Sequence, residues 1–153
     1  RIQRQRKDFH YKVAHKLVRE YDLIGVEDLQ VRNLARNSKL AKSILDAAWS
    51  AFITILESVA VKRGVHVVKV APHNTSQDCS GCGTKVSKAL SVRTHCCPKC
   101  NLILDRDENA AINILIKALQ AVGLIVSVGG GQGVAQPVKP EAWGFQGVQL
   151  SLF

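Results

Sequence analysis

Residues 65–72 read Val65-His66-Val67-Val68-Lys69-Val70-Ala71-Pro72, a branched, apolar run of single-strand length that closes on a proline unable to donate to a sheet ladder. Just upstream, from Ile44 to Arg63, the apolar set Leu45, Ala48, Trp49, Phe52, Leu56, Val59 and Ala60 keeps helical spacing, and Gly64 supplies a C-terminal stop. That spacing makes Trp49 and Phe52 core residues rather than base-stacking ones. Further back, Leu23-Ile24-Gly25-Val26-Glu27-Asp28-Leu29 is a second strand-like run that emerges into two acids. Residues 1–20 hold seven basic side chains, Arg1, Arg4, Arg6, Lys7, Lys12, Lys16 and Arg19, against Asp8 and Glu20. Phe9, Val13, Leu17 and Tyr21 recur there at four-residue steps, so a helix with one apolar stripe fits. The order helix, strand, helix, strand predicts an α/β layer whose strands are partly parallel.

The composition agrees with one compact domain: 153 residues, 46% hydrophobic and 22% charged, too apolar for disorder. No run of about 18 apolar residues offers a membrane span, and no charged start followed by an apolar core marks a secretory signal. The chain contains no methionine and begins at Arg1, so it reads as part of something larger. Lys and Arg number 21 against 12 acids, a net +9, which favours polyanionic partners, nucleic acid first among them. Residues 30–43, with Arg32, Arg36, Lys39 and Lys42, read as a basic loop. Beyond residue 118 only Lys139 and Glu141 are charged and Gly129-Gly130-Gly131 interrupts the run, the pattern of a loosely ordered extension.

All five cysteines fall between positions 79 and 100. Cys79-Ser-Gly-Cys82 and Cys97-Pro-Lys-Cys100 are two C-x2-C pairs separated by 14 residues, spacing that suits tetrahedral thiolate coordination of zinc with the intervening insert closing a hairpin. Gly83 and Asn101 follow the two pairs, where a knuckle turn needs a residue tolerant of positive φ. Cys96 is then the spare thiol, and His73 and His95 read as polar loop residues beside a site that four cysteines already complete. Disulfides would need an oxidising compartment, for which the chain carries no address. Four protein ligands leave no open position, so the zinc is structural.

Two acidic groups remain. Glu27-Asp28 ends the first strand, and Asp105-Arg106-Asp107-Glu108 opens a helix over residues 108–122. Acids at a strand end and a helix start can converge on Mg²⁺. The second group equally has the form of a capping box with first-turn acids that complement the helix dipole. Composition does not choose between them, and spacing alone favours the cap.

Taken in order, Ile24-Gly-Val-Glu27-Asp28-Leu29, Pro72-His-Asn-Thr75-Ser76-Gln77, the four cysteines and Asp105-Arg-Asp107-Glu-Asn109-Ala-Ala-Ile-Asn113-Ile resemble the C-terminal part of the OrfB/TnpB proteins of bacterial insertion sequences, relatives of type V CRISPR effectors. The resemblance covers residues 1–117 or so. It implies a RuvC-like, RNase H-fold nuclease with an inserted zinc ribbon: residues 1–72 a partial RuvC-like α/β region, 73–104 the ribbon, 105–122 a returning RuvC-like helix, and 123–153 a flexible tail. It implies a transposase that acts as an RNA-guided DNA endonuclease in transposition and DNA recombination, in the bacterial cytoplasm on the nucleoid, with DNA and a guide RNA as partners. Of the family's three metal-binding acids, the second lands on Glu27 and the third on Asp107, which leaves Asp105 as the cap. The first lies upstream in the family, in a Gly-Ile-Asp-like context that these residues do not contain, and neither Asp8 nor Asp22 replaces it. The expectation is that this polypeptide alone does not cleave DNA.

The competing reading is a zinc-ribbon nucleic-acid-binding module whose acids are structural, and a third is an accessory protein with protein partners. The candidate nucleic-acid contacts are Arg1, Arg4 and Arg6 on the first helix, Arg32, Arg36 and Lys39 on the loop, and Lys85, Lys88 and Arg93 in the ribbon insert.

Overall fold

The computed structural model describes residues 1–29, 48–89, 91–123 and 148–149. The basic loop and its Arg32, Arg36 and Lys39, with Leu45 at the expected helix start, lie outside the described residues. So does the glycine-rich extension from residue 124 on, apart from Val148 and Gln149, whereas residues 119–121, where the charge pattern places its start, belong to a helix.

A parallel sheet forms the centre. Strand β1 (Leu23–Glu27) pairs with β2 (His66–Val70) in the register Leu23 to His66 through Glu27 to Val70. Helix α2 (Trp49–Val61) lies between them in sequence, a βαβ unit as the alternation of elements predicts. Val148–Gln149 pairs in parallel with Leu23 and Ile24 on the other side of β1, so the sheet order places β1 in the middle. This two-residue strand is numbered β5 in chain order. Part of the expected loose extension is therefore sheet: a strand buried on both faces needs ladder partners on both edges.

The period-two alternation of β1 sorts the helices onto two faces. Ile24 and Val26 enter a cluster with Ala14, Leu17 and Val18 of helix α1 (Ile2–Glu20) and with Phe52, Ile53, Leu56, Val59 and Ala60 of α2. Leu23 and Val70 face the opposite way and pack with Ile114 and Ala118 of helix α3 (Arg106–Ala121). Gly25 lies between them on that second face, where a Cβ would meet the Ala118 Cβ at 3.1 Å. A side chain there would hold α3 away from the strand.

The stripe of α1 is corrected. Phe9 is exposed, and the buried residues are His10, Ala14, Leu17 and Val18, with Val13 and Tyr21 only partly covered. Four-residue steps overshoot the helical turn by about 40° each, so a lasting stripe mixes steps of three and four. His10 takes the first place by setting its ring edge-on to Phe52, centroids 5.4 Å apart.

Helix α3 begins where spacing favours a cap, and Asp105 is that cap. Its carboxylate accepts from the Asp107 N–H at 2.7 Å and the Glu108 N–H at 3.4 Å. We expect Asp105→Ala to cost about 1 kcal/mol in chemical denaturation and Asp105→Asn clearly less, because the amide oxygen still accepts.

Candidate metal centre and acid pair

Two hairpins of the same design carry the cysteines. In the first, Asp78 and Lys85 form a bridge, the Cys79 N–H donates to the Thr84 carbonyl, and the Gly83 N–H donates to the Cys79 carbonyl. In the second, β3 (Thr94–Cys96) runs antiparallel to β4 (Ile103–Asp105), the Cys97 N–H donates to the Leu102 carbonyl, and the Asn101 N–H donates to the Cys97 carbonyl. The offsets from each leading cysteine match. Gly83 and Asn101 both have positive φ, 71° and 59°, as the knuckle geometry demands. The hairpins enclose the knuckles themselves rather than the insert between them, because a C-x2-C turn is already the tight loop its flanking backbone needs.

The sulfurs of Cys79, Cys82, Cys97 and Cys100 all lie within 4.8 Å of one another. Cys79 and Cys100 are 3.5 Å apart, and Cys82 and Cys97 are 3.6 Å apart. A tetrahedron of Zn–S bonds of 2.3 Å places its sulfurs about 3.8 Å apart, so the donor set fits a metal ion such as zinc. Cys96 is exposed and outside the cluster. The thiols are not equivalent. Burial pushes Cys79 up to about 12, while the Thr84 hydroxyl, 3.3 Å from the Cys82 sulfur, and the Thr84 backbone draw Cys82 down to about 6. A bound dication would ionise all four.

His95 is not the polar loop residue expected. It sits on β3 with no exposed surface, and its Nδ1 accepts from the Lys88 ammonium at 2.6 Å. Burial lowers the Lys88 pKa, with the Arg106 charge adding to the effect, and burial followed by the Lys88 charge lowers that of His95. Lys88 therefore points inward onto the imidazole, whereas Lys85 and Arg93 are exposed. His73 does lie on the exposed loop, its carbonyl accepting from Lys117 at 2.8 Å.

Glu27 stands at the end of β1, half-buried, and its Oε1 accepts from the Thr75 hydroxyl at 2.5 Å. Asp107 lies in the first turn of α3 with 55% of its side chain exposed, its two oxygens 3.2 Å from Arg93 and 3.1 Å from Arg106. The two acids are linked indirectly. Asn113 of α3 donates to the Thr75 carbonyl at 2.8 Å, and Asp107 is six residues before it, about 9 Å along the helix. Asp107 also shares the helical stripe of Ala111, Ile114 and Ala118, the residues α3 turns inward.

Residue-type reasoning assigned no role to Thr75, Asn109 or Asn113. Asn109 is fully buried; its amide donates to the Asp78 carbonyl at 2.8 Å and its Oδ1 accepts from the Ser80 N–H at 2.9 Å. Asn113 donates to the same Asp78 carbonyl at 2.7 Å. Two asparagines four residues apart on a helix that otherwise turns Ala and Ile inward are the signal that marks them, since a buried amide requires partners.

Arg1 and Arg4 are exposed at the start of α1, and Arg6 is half-buried. Further along the same helix a shallow groove of about 440 Å³ is lined by Asp8, Tyr11, Lys12, His15, Arg19 and Arg63, with the Tyr11 and His15 rings stacked at 6.4 Å. That groove was not anticipated: its stripe lies opposite the buried one and becomes visible only once the buried one is placed.

Residues 49–114 match the family model of the Cas12f1-like TNB domain. A Cas12f1 chain, solved in complex with sgRNA and target DNA, superposes with a TM-score of 0.58 at 25% identity, over 73% of this chain and 34% of that one. A Streptomyces pristinaespiralis protein whose name places it among the RNA-guided DNA endonucleases is 42% identical over 79% of this chain and 30% of its own length. TnpB-like protein L79 of Acanthamoeba polyphaga mimivirus is 35% identical over 75% of this chain and 23% of its own length. The chain belongs to the TnpB family. It spans less than a third of the length of either relative, 30% of the first and 23% of the second.

Proposed function

We propose that these residues belong to a transposon-encoded, metal-dependent DNA endonuclease with an RNase H-like, RuvC-type layer, acting in transposition and DNA recombination in the bacterial cytoplasm on the nucleoid. The observation that carries the reading is the connection from Glu27 through Thr75 to Asn113 on the helix that also bears Asp107. Two acids distant in sequence are thereby tied to one sheet end and one helix.

In this reading Zn²⁺ is held by Cys79, Cys82, Cys97 and Cys100 and is structural, its four protein ligands leaving no place for substrate. Glu27 and Asp107 would hold Mg²⁺, which supplies an activated water and neutralises charge on a leaving phosphodiester oxygen. Thr75 takes up one oxygen of Glu27 and leaves the other available. Asp107 must exchange its guanidinium partners for the cation, which its exposure permits. DNA and a guide RNA are the partners, with sequence chosen by guide pairing. The exposed Arg1, Arg4, Lys85 and Arg93, and the groove beside Tyr11 and His15, offer phosphate and stacking contacts. Arg32, Arg36 and Lys39 keep the role the sequence suggests.

With two acids of three, the 153 residues by themselves bind the cation weakly and do not cut. The test is Mn²⁺ titration of the purified chain followed by electron paramagnetic resonance. Glu27→Gln and Asp107→Asn should each weaken binding about tenfold or more, since each removes a charged ligand. Unchanged titrations in both variants would overturn the metal role, as would DNA cleavage by these residues alone overturn the expectation of inactivity.

The second reading, a zinc-ribbon nucleic-acid-binding module with structural acids, has its own supporting observation. Both oxygens of Asp107 are already paired, with Arg93 and Arg106. Unchanged titrations would favour it.

A further inference from the structure

The stretch from Thr75 to Ser80 faces three ways at once. Toward the sheet, the Thr75 hydroxyl donates to Glu27 Oε1. Toward α3, the Thr75 and Asp78 carbonyls accept from Asn113, the Asp78 carbonyl accepts from Asn109 as well, and the Ser80 N–H donates to Asn109 Oδ1. Toward the ribbon, Cys79 supplies a sulfur to the thiolate cluster, and its backbone N–H and carbonyl close the first knuckle. Only three residues, Ser76, Gln77 and Asp78, lie between Thr75, whose hydroxyl donates to Glu27, and Cys79, whose sulfur belongs to the thiolate cluster.

Asn109 and Asn113 make this connection stiff. Both are buried, and a buried amide that loses its partners retains the desolvation cost with nothing to offset it. The 75–80 backbone and α3 are thus held in one relative position. A carboxylate at a strand end otherwise has free rotation about its side-chain bonds; a short O–H···O⁻ bond to a fixed hydroxyl selects one orientation. The Thr75 hydroxyl is near a second acceptor, the Pro72 carbonyl at 3.3 Å, so its position is set by its own turn as well as by Glu27.

We infer that Thr75 is a positioning residue for Glu27, and that the 75–80 segment, clamped by Asn109 and Asn113, makes divalent-cation binding at the acid pair depend on metal occupancy of the thiolate cluster. This rests on the reading of Glu27 as a cation ligand. Two sites that differ in chemistry, sulfur in one and oxygen in the other, then act through one piece of backbone. The coupling is reciprocal, as any linkage between binding equilibria is.

The experiment uses the zinc-loaded 153-residue chain, with one zinc per chain confirmed by elemental analysis for every variant, and the wild type again after its zinc is removed by a chelator. Zinc removal should lower Mn²⁺ affinity about fivefold or more, the scale of a coupling between two sites. An unchanged affinity overturns the dependence on the thiolate cluster. Mn²⁺ affinity is read by electron paramagnetic resonance, and amide hydrogen exchange is followed in parallel at residues 26–28 and 109–113. Thr75→Val keeps the shape and removes the hydroxyl. It should lower Mn²⁺ affinity about tenfold, the loss of one hydrogen bond to a charged group, with zinc content unchanged. Thr75→Ser should restore it. Asn113→Ala should speed exchange at residues 26–28 as well as in α3, because the effect passes through Thr75. Wild-type affinity in Thr75→Val, together with unchanged exchange at 26–28 in both variants, overturns the inference. If Mn²⁺ binds the wild type no better than it binds Glu27→Gln, the ligand reading fails by itself. Exchange then decides the linkage: faster exchange at 26–28 in Thr75→Val sustains the mechanical connection, and unchanged exchange removes it.

Discussion

Cys79→Ser abolishes zinc binding and unfolds the ribbon, while Cys96→Ser does neither. Zinc content measured on the purified variants should fall from one per chain to near zero in the first and stay at one in the second. The size of the effect follows from thermodynamics. Zinc binding contributes on the order of 10–16 kcal/mol in small modules, comparable with the whole stability of a domain, about 5–15 kcal/mol. Apart from a metal, the described residues of 73–105 are held by two short hairpins, buried His95, and a handful of polar contacts to β1 and α3, with no apolar core cluster of their own among the described residues. Loss of one sulfur leaves three ligands around a cation that needs four, and it loosens the turn whose backbone Asn109 grips. Protection of the α3 amides from exchange should therefore fall in the same variant. A Cys79→Ser protein that retains stoichiometric zinc would mean that Cys96 or a histidine completes the set instead.

Ile114→Ala has the second largest effect, a loss of about 2–5 kcal/mol in urea denaturation. Ile114 has no exposed surface, and it packs with Leu23, Val70 and Ala118 in the smaller of the two clusters. Two of the positions around it have little with which to fill the space. Gly25 brings only backbone to that face, and Ala118 has a single methyl. The larger cluster between α1, α2 and the sheet would be left intact, so the unfolding should begin with the detachment of α3. An Ile114→Ala stability within about 0.5 kcal/mol of wild type would show that the helix is held by its polar contacts alone.

Much of this architecture is legible in the residues. The run Val65–Val70 has few alternatives to a strand, and its partner Leu23–Glu27 has the near-continuous apolar pattern of a strand covered on both faces. The cysteine spacing specifies the knuckles down to the two residues with positive φ. Two things were not legible. The buried stripe of α1 lay one residue away from the one the pattern suggested, because His10 competes with Phe9 for the core and a histidine is counted as polar by any simple tally. His95 was missed for the same reason, with the added difficulty that its partner Lys88 is a residue type that ordinarily stays in solvent. The acidic cluster before α3 was half legible: spacing favoured the cap at Asp105, which the structure shows, while only resemblance singled out Asp107 as a candidate metal ligand. No local pattern could reveal that Glu27 meets Thr75 across 48 positions of sequence.

Asp105 is at once the last residue of β4 and the cap of α3, and the Arg106 N–H donates back to the Arg93 carbonyl at 2.6 Å. No connector separates the hairpin from the helix, so there is no joint at which one can pivot while the other stays still. Whatever tugs on the ribbon tip is transmitted to the helix as to the far arm of a lever. A flap that opens and shuts freely over the acids is mechanically the wrong picture: displacement on one side must be felt on the other.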